Sequence, residues 1–88
     1  MPVLSVVVGS AVGLHTRPAS IIAEKADELA EAGHDVFLAI PGDEPVEASS
    51  ALMIMTLGAA KGDTVEVSGD DDAAVEAIAA LVAQDLDA

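Results

Sequence analysis

From Ala19 onward, Ile22, Ala23, Ala26, Leu29 and Ala30 recur at the spacing of one helical face, while Glu24, Lys25, Asp27, Glu28 and Glu31 take the other. On both sides of this stretch the pattern is that of strands. The switch in period leaves few folds open. A strand, a helix and a second strand in succession hide their apolar sides by laying the helix on the sheet. Before the helix, Val3 to Val8 is a β-branched run closed by Gly9-Ser10, expected as a strand buried on at least one face. Gly33 is placed to end the helix.

Asp35 to Ile40 alternates as a second strand, with Val36, Leu38 and Ile40 on one face. Pro41-Gly42-Asp43-Glu44 is turn chemistry, and Pro45 to Ala48 is a short third strand whose proline and acids suit a sheet edge. Ser49 or Ser50 caps a short helix through about Leu57, closed by Gly58. Thr64 to Ser68 turns Val65 and Val67 inward as a fourth strand. Asp70-Asp71-Asp72 opens a last helix with Val75, Ile78, Ala79, Val82 and Leu86 as its apolar stripe. The expected class is α+β, in the order βαββαβα. Right-handed crossovers give an antiparallel four-stranded sheet with three helices on one face, a two-layer open-faced sandwich. At 88 residues the chain is expected to be one domain, 1–88, its core made of Ala, Val, Ile, Leu and Met around a single aromatic, Phe37.

Gly13-Leu14-His15-Thr16-Arg17-Pro18-Ala19 stands where the first helix begins. Pro18 suits a first turn, where its missing N–H has no intrahelical partner to lose. His15 and Arg17 therefore lie at a helix N-terminus, where free N–H groups and the positive end of the dipole favour an anion. A neutral histidine is a nucleophile through one ring nitrogen when the other carries the proton. A phosphoryl group on it would meet the Arg17 guanidinium and the backbone amides of the helix start. No metal or acid–base pair is evident in the pattern, which suits transfer of an activated phosphoryl group better than hydrolysis of an inert one. Spacing alone equally allows His15 as a capping residue and Arg17 as a surface charge.

The formal net charge of −13, with three Lys/Arg against 16 Asp/Glu, argues against nucleic-acid binding, which needs clustered cations. It fits either a basic partner or a surface adapted to concentrated salt. The acids are spread along the chain rather than gathered in a tail, which favours salt adaptation. Without cysteine there is no disulfide framework. Met1 to Val8 lacks a basic n-region, and no apolar run reaches membrane-spanning length, so a soluble cytoplasmic protein is expected.

The stretch Gly13 to Ala19 resembles the active-site signature of the HPr family, the histidine-containing phosphocarriers of the sugar phosphotransferase system. Ser50-Ala51-Leu52-Met53-Ile54-Met55-Thr56-Leu57-Gly58, followed by Ala59-Ala60-Lys61-Gly62, resembles the family's second signature. With length and element order, the resemblance spans essentially the whole chain. It implies that His15 takes a phosphoryl group on Nδ1 from enzyme I, charged by phosphoenolpyruvate, and passes it to an enzyme II A domain. It also implies that Arg17 steadies the group, with Thr16 and Pro18 as its helix-start surroundings. Ala51, Leu52, Met55 and Ser20 match the family's docking face, and methionine suits a surface that meets several partners. Met53, Ile54 and Leu57 are expected in the core. Ser50 matches a serine phosphorylated by a dedicated kinase in some bacterial members, although its capping role explains it without regulation. The family is monomeric, and neither cofactor nor metal is expected. His34, after Gly33, is expected at the surface, without carboxylate spacing for a metal site with His15.

Glu24 and Asp27 stand where bacterial members often carry lysines, so docking is expected to rest on apolar contact between salt-adapted partners. Thr16 is a tolerated polar variant. Fructose uptake and dihydroxyacetone phosphorylation both fit the archaeal, salt-adapted setting that the charge suggests. Two other classes compete. A regulatory interaction protein using the same docking helix is disfavoured by the retained His15, and a hydrolase with His15 as general base lacks a nucleophile or metal partner.

Overall fold

The computed structural model describes residues 2–86. Its elements follow the expected order: β1 (Val3–Val7), α1 (Thr16–Glu31), β2 (Val36–Ala39), β3 (Val46–Glu47), α2 (Ala51–Thr56), β4 (Thr64–Gly69) and α3 (Asp72–Ala83). The four strands form one sheet in the order β1-β4-β2-β3, with every neighbouring pair antiparallel. Each helical crossover therefore joins two parallel strands separated by one antiparallel strand: β1 to β2 around β4, and β3 to β4 around β2.

Register assigns the faces. Val65 lies opposite Val6, and Val67 lies between Leu4 and Leu38, so these residues share the helix-covered side. Val36, Leu38, Val65 and Val67 are buried there with Ile22 of α1, Ile54 of α2, and Val75, Ile78 and Val82 of α3. The opposite side carries Phe37, Ser68 and Glu66 and has no layer over it among the described residues. β1 departs from expectation: Val3, Leu4 and Val7 are exposed, and only Val6 is half-buried. Val3 and Val7 pair with Ser68 and Thr64 on the uncovered side, whereas Leu4, on the covered side of this edge strand, is sheltered incompletely by α3. The strand's hydrophobicity continues into Val8, which is buried beyond its end.

Ends of elements follow local chemistry. At the end of α1, Gly33 N–H donates to Ala30 O (2.9 Å) and His34 N–H to Leu29 O (2.9 Å), a Schellman closure with glycine at the expected position. Asp71 caps α3 by accepting from the Ala74 amide at 3.0 Å. The last helix stops at Ala83, so Leu86, placed in its stripe by spacing, packs on the core from beyond the helix. The second and third strands are shorter than the alternation suggested, because Ile40 and Pro45 already belong to the turn between them.

Residues 9–10 tie the β1 exit to the end of α3. Gly9 N–H donates to Val82 O at 3.1 Å, and the fully buried Ser10 hydroxyl accepts from the Leu86 amide at 3.2 Å and donates to Gln84 O at 3.3 Å. A Cβ on Gly9 would lie 2.0 Å from Ala83 O, a backbone atom with no room to yield. Gly9→Ala is expected to cost about 3 kcal/mol, the upper end of overpacking penalties. The readout is a lower urea midpoint at an unchanged m-value.

Candidate functional site

His15 is the N-cap of α1. Its extended backbone (φ −89°, ψ −166°) lets the ring fold back so that the Thr16 amide donates to Nδ1 at 3.1 Å. An amide that donates to Nδ1 requires the lone pair there, so the neutral ring in this geometry carries its proton on Nε2. The first intrahelical bond runs from the Ala19 amide to His15 O at 2.8 Å. Pro18 has no N–H, so the amides of Thr16 and Arg17 are the donors that precede it, at the positive end of a 16-residue helix. His15, Thr16 and Arg17 are exposed, and Pro18 is buried beneath them, which fixes the turn without covering the ring.

The loop that delivers His15 is pinned from the other half of the chain. Leu14 is buried, and its amide donates to Ala59 O at 2.9 Å. Gly13 adopts φ +74°, and a Cβ there would stand 2.5 Å from Ala59 O, so both conformation and space demand glycine. Residues 58–60 are steadied in turn by Asp63, whose carboxylate accepts from the Ala60 amide at 2.9 Å. Between these loops, beside the His15 ring, opens a cleft of about 280 Å³ lined by Leu14, His15, Met55, Gly58 and Ala59. The Thr16 hydroxyl donates to the Met55 sulfur at 3.9 Å and lies 3.4 Å from His15 Nδ1. The two sequence signatures are thus one site in space.

α2 supplies the apolar rim. Ser50 caps it, its hydroxyl accepting from the Met53 amide at 3.3 Å. Ile54 is fully buried, Ala51, Met55 and Leu57 are half-buried, and Leu52 is 69% exposed. Met53 was expected in the core but is 41% exposed. A helix of six residues lying on a sheet buries about one position per turn, and Met53, a 100° step from Ile54, falls on the outer side with Leu52. Ser20 is exposed one turn along α1 from Thr16. The structure therefore joins His15, Thr16 and Met55 by direct contact, and leaves Arg17, Ser20 and Leu52 open to a partner. Residues 59–60 belong to the second signature, but neither the bond of Ala59 to Leu14 nor the Thr16–Met55 contact carried a sequence signal of its own.

His34 is not the plain surface residue expected. Its ring is half-exposed, but Nδ1 is shielded from solvent, unpaired by any hydrogen bond, and 3.9 Å from Asp70 Oδ1. The Schellman closure turns the ring toward the end of β4, where Asp70 begins the next loop. Among the described residues no group of three or more His, Asp or Glu is arranged to hold a metal ion, and no helix is long and apolar enough to cross a membrane.

The family model described as "PTS HPr component phosphorylation site" matches residues 4–84. The phosphocarrier protein HPr of Streptomyces coelicolor is 40% identical over 83 residues, 91% of this chain and 86% of that protein. The crystal structure of a phosphocarrier protein HPr from Bacillus anthracis matches with a TM-score of 0.81 at 28% identity, covering 92% of this chain and 95% of that one. That of HPr-C-His from Thermoanaerobacter tengcongensis matches with 0.79 at 26% identity, covering 93% and 91%.

The geometry of Ser50 makes a structural role testable apart from any regulatory one. Ser50→Ala removes the cap and is expected to cost about 1 kcal/mol, whereas Ser50→Asp, which also caps, stays within a few tenths of the parent. Thermal or urea unfolding of the three proteins checks this, and an Ala variant as stable as the parent would contradict it.

Proposed function

The chain belongs to the HPr family, phosphocarriers of the phosphotransferase system rather than enzymes with turnover of their own, and from that membership we propose that His15 is its phosphoacceptor. The observation that carries the proposal is the Nδ1 lone pair at a helix start, marked by the amide of Thr16 at 3.1 Å. The lone pair attacks phosphorus, the bond from phosphorus to the donor breaks, and its electron pair leaves with the donor. The ring, now phosphorylated on Nδ1 and still protonated on Nε2, gains positive charge that the phosphoryl oxygens offset. Those oxygens replace the lone pair as acceptors for the Thr16 amide, with the Arg17 amide and guanidinium as further donors. Pro18 holds the turn in helical conformation.

The donor in this reading is enzyme I charged by phosphoenolpyruvate, and the acceptor an enzyme II A domain on a fructose or dihydroxyacetone route. Both would use the same apolar face, Ala51, Leu52 and Met55, with Ser20 across the groove, and the single-domain monomer would work in the cytoplasm. Leu52 supports this because a side chain that exposed contributes nothing to the core and remains free to anchor a partner. Ser50 acts as a cap, and its half-buried position at the edge of the docking face is also where a kinase mark would repel an acidic partner.

Incubation with enzyme I and phosphoenolpyruvate in high salt is expected to leave one acid-labile phosphoryl group per chain, absent in His15→Ala. Label of equal extent in that variant would overturn the assignment. In the same assay Leu52→Glu is expected to slow transfer at least about tenfold with no loss of fold, since a carboxylate must be desolvated at the contact.

Salt adaptation supplies a separate expectation. With a net charge of −13, self-repulsion grows as screening is removed, so the melting temperature should fall as ionic strength drops. A cooperative melt independent of salt would contradict it.

A further inference from the structure

Met55 stands where the two halves of the site meet, and its sulfur is the partner of the hydroxyl nearest the histidine. Thr16 Oγ1 lies 3.9 Å from Met55 Sδ and 3.4 Å from His15 Nδ1, so one hydroxyl faces both groups. Met55 is half-buried and lines the cleft beside the ring. A thioether is a weak acceptor, so the hydroxyl is held loosely and is free to turn its hydrogen bond to a phosphoryl oxygen once one arrives.

We propose that Met55 is a reversible oxidation site, and that its sulfoxide slows phosphoryl loading of His15 by capturing the Thr16 hydroxyl. The inference rests on His15 being the phosphoacceptor. The oxidant is hydrogen peroxide: the sulfur lone pair attacks one peroxide oxygen, the O–O bond breaks, an S–O bond forms, and the departing hydroxide takes the proton of the transferred oxygen and leaves as water. Sulfur is oxidised by two electrons and the peroxide is reduced. The sulfoxide oxygen is a much stronger acceptor than the thioether, so it keeps the hydroxyl that the phosphoryl group would use. It also places a polar atom in an apolar docking face, where a partner must desolvate it. Met53 provides an internal comparison. It is exposed on the same short helix and more open to oxidant than Met55, but stands outside the cleft.

The test uses hydrogen peroxide on the whole chain and on Met53→Leu and Met55→Leu, with sulfoxides located by peptide mass. Each protein is compared with its own unoxidised form in loading by enzyme I. Oxidation is expected to slow loading about tenfold in the parent and in Met53→Leu, the effect of an unmet polar group, and less than twofold in Met55→Leu. Methionine sulfoxide reductase should restore the rate. Equal sensitivity in Met55→Leu, or an oxidised parent that loads at the original rate, overturns the proposal. A second readout needs no partner: in NMR spectra, oxidation should move the Thr16 amide and His15 ring signals in the parent and in Met53→Leu, but not in Met55→Leu. Unmoved signals in the parent also overturn it. If the unoxidised parent takes no label at all, the failure lies with the phosphoacceptor assignment, and the spectra still decide the Met55 coupling.

Discussion

The contact on which the site depends is the one between Leu14 and Ala59. A nucleophile at the tip of a loop is only as well placed as the loop, and this loop is fixed by one amide-to-carbonyl bond, one buried leucine and one glycine pressed against backbone. Because Gly13 has no Cβ, the segment carrying His15 and the segment following α2 approach to backbone distance. The approach brings Met55 against Thr16 and forms the cleft. The loop bearing His15 and the helix α2 are far apart in sequence, yet they form one surface because residues 13–14 and 59–60 hold them together.

A carrier faces a different physical demand from an enzyme. Its phosphoryl group must be stable enough to survive transit and labile enough to leave, so deep burial and a dense set of charged donors would work against it. The site meets that demand by being sparse. It offers an exposed ring whose Nδ1 accepts from the Thr16 amide, the neighbouring Arg17 amide at the helix start, and one exposed arginine. Proline in the first turn keeps the donor set small, because it removes one N–H that would otherwise point toward the anion. Beside the site stands a short helix whose exposed Leu52 and Met53 and half-buried Met55 give apolar area without fixed geometry.

Much of this was legible in the sequence because it is written in local patterns. The 3.6-residue period of α1, the alternation in β2 and β4, the Schellman glycine, a serine cap at 49 or 50 and the acidic opening of α3 are each decided by neighbours in the chain. The motif from Gly13 to Ala19 is likewise local, its glycine, histidine and proline setting the loop and the helix start within seven residues. What was not legible depends on tertiary position. Val3 and Val7 look like core residues until the sheet leaves their face uncovered, and Leu4 until the strand order makes its strand an edge. Met53 looks like core until the length of α2 limits how many of its positions reach the sheet. The shielding of His34 Nδ1 depends on where β4 ends, and Thr16–Met55 depends on the crossing of two helices. None of these has a periodicity to read.

The acidic surface changes how such a protein must find its partners. At low salt a chain of net charge −13 would be steered away from acidic partners over a Debye length of about 30 Å at 0.01 M, against about 3 Å at 1 M. In concentrated salt that steering is gone in either direction, and encounters succeed or fail on short-range complementarity. An exposed leucine beside half-buried Ala51 and Met55 is suited to that regime, because hydrophobic contact does not weaken as ions are added and is strengthened by salts excluded from the surface. Charge is then left where it acts at contact distance: Arg17 is in the motif itself, two residues from the histidine, where a guanidinium can meet an anion directly. Placing a cation in the turn and apolar side chains on the neighbouring α2 separates contact chemistry from long-range steering.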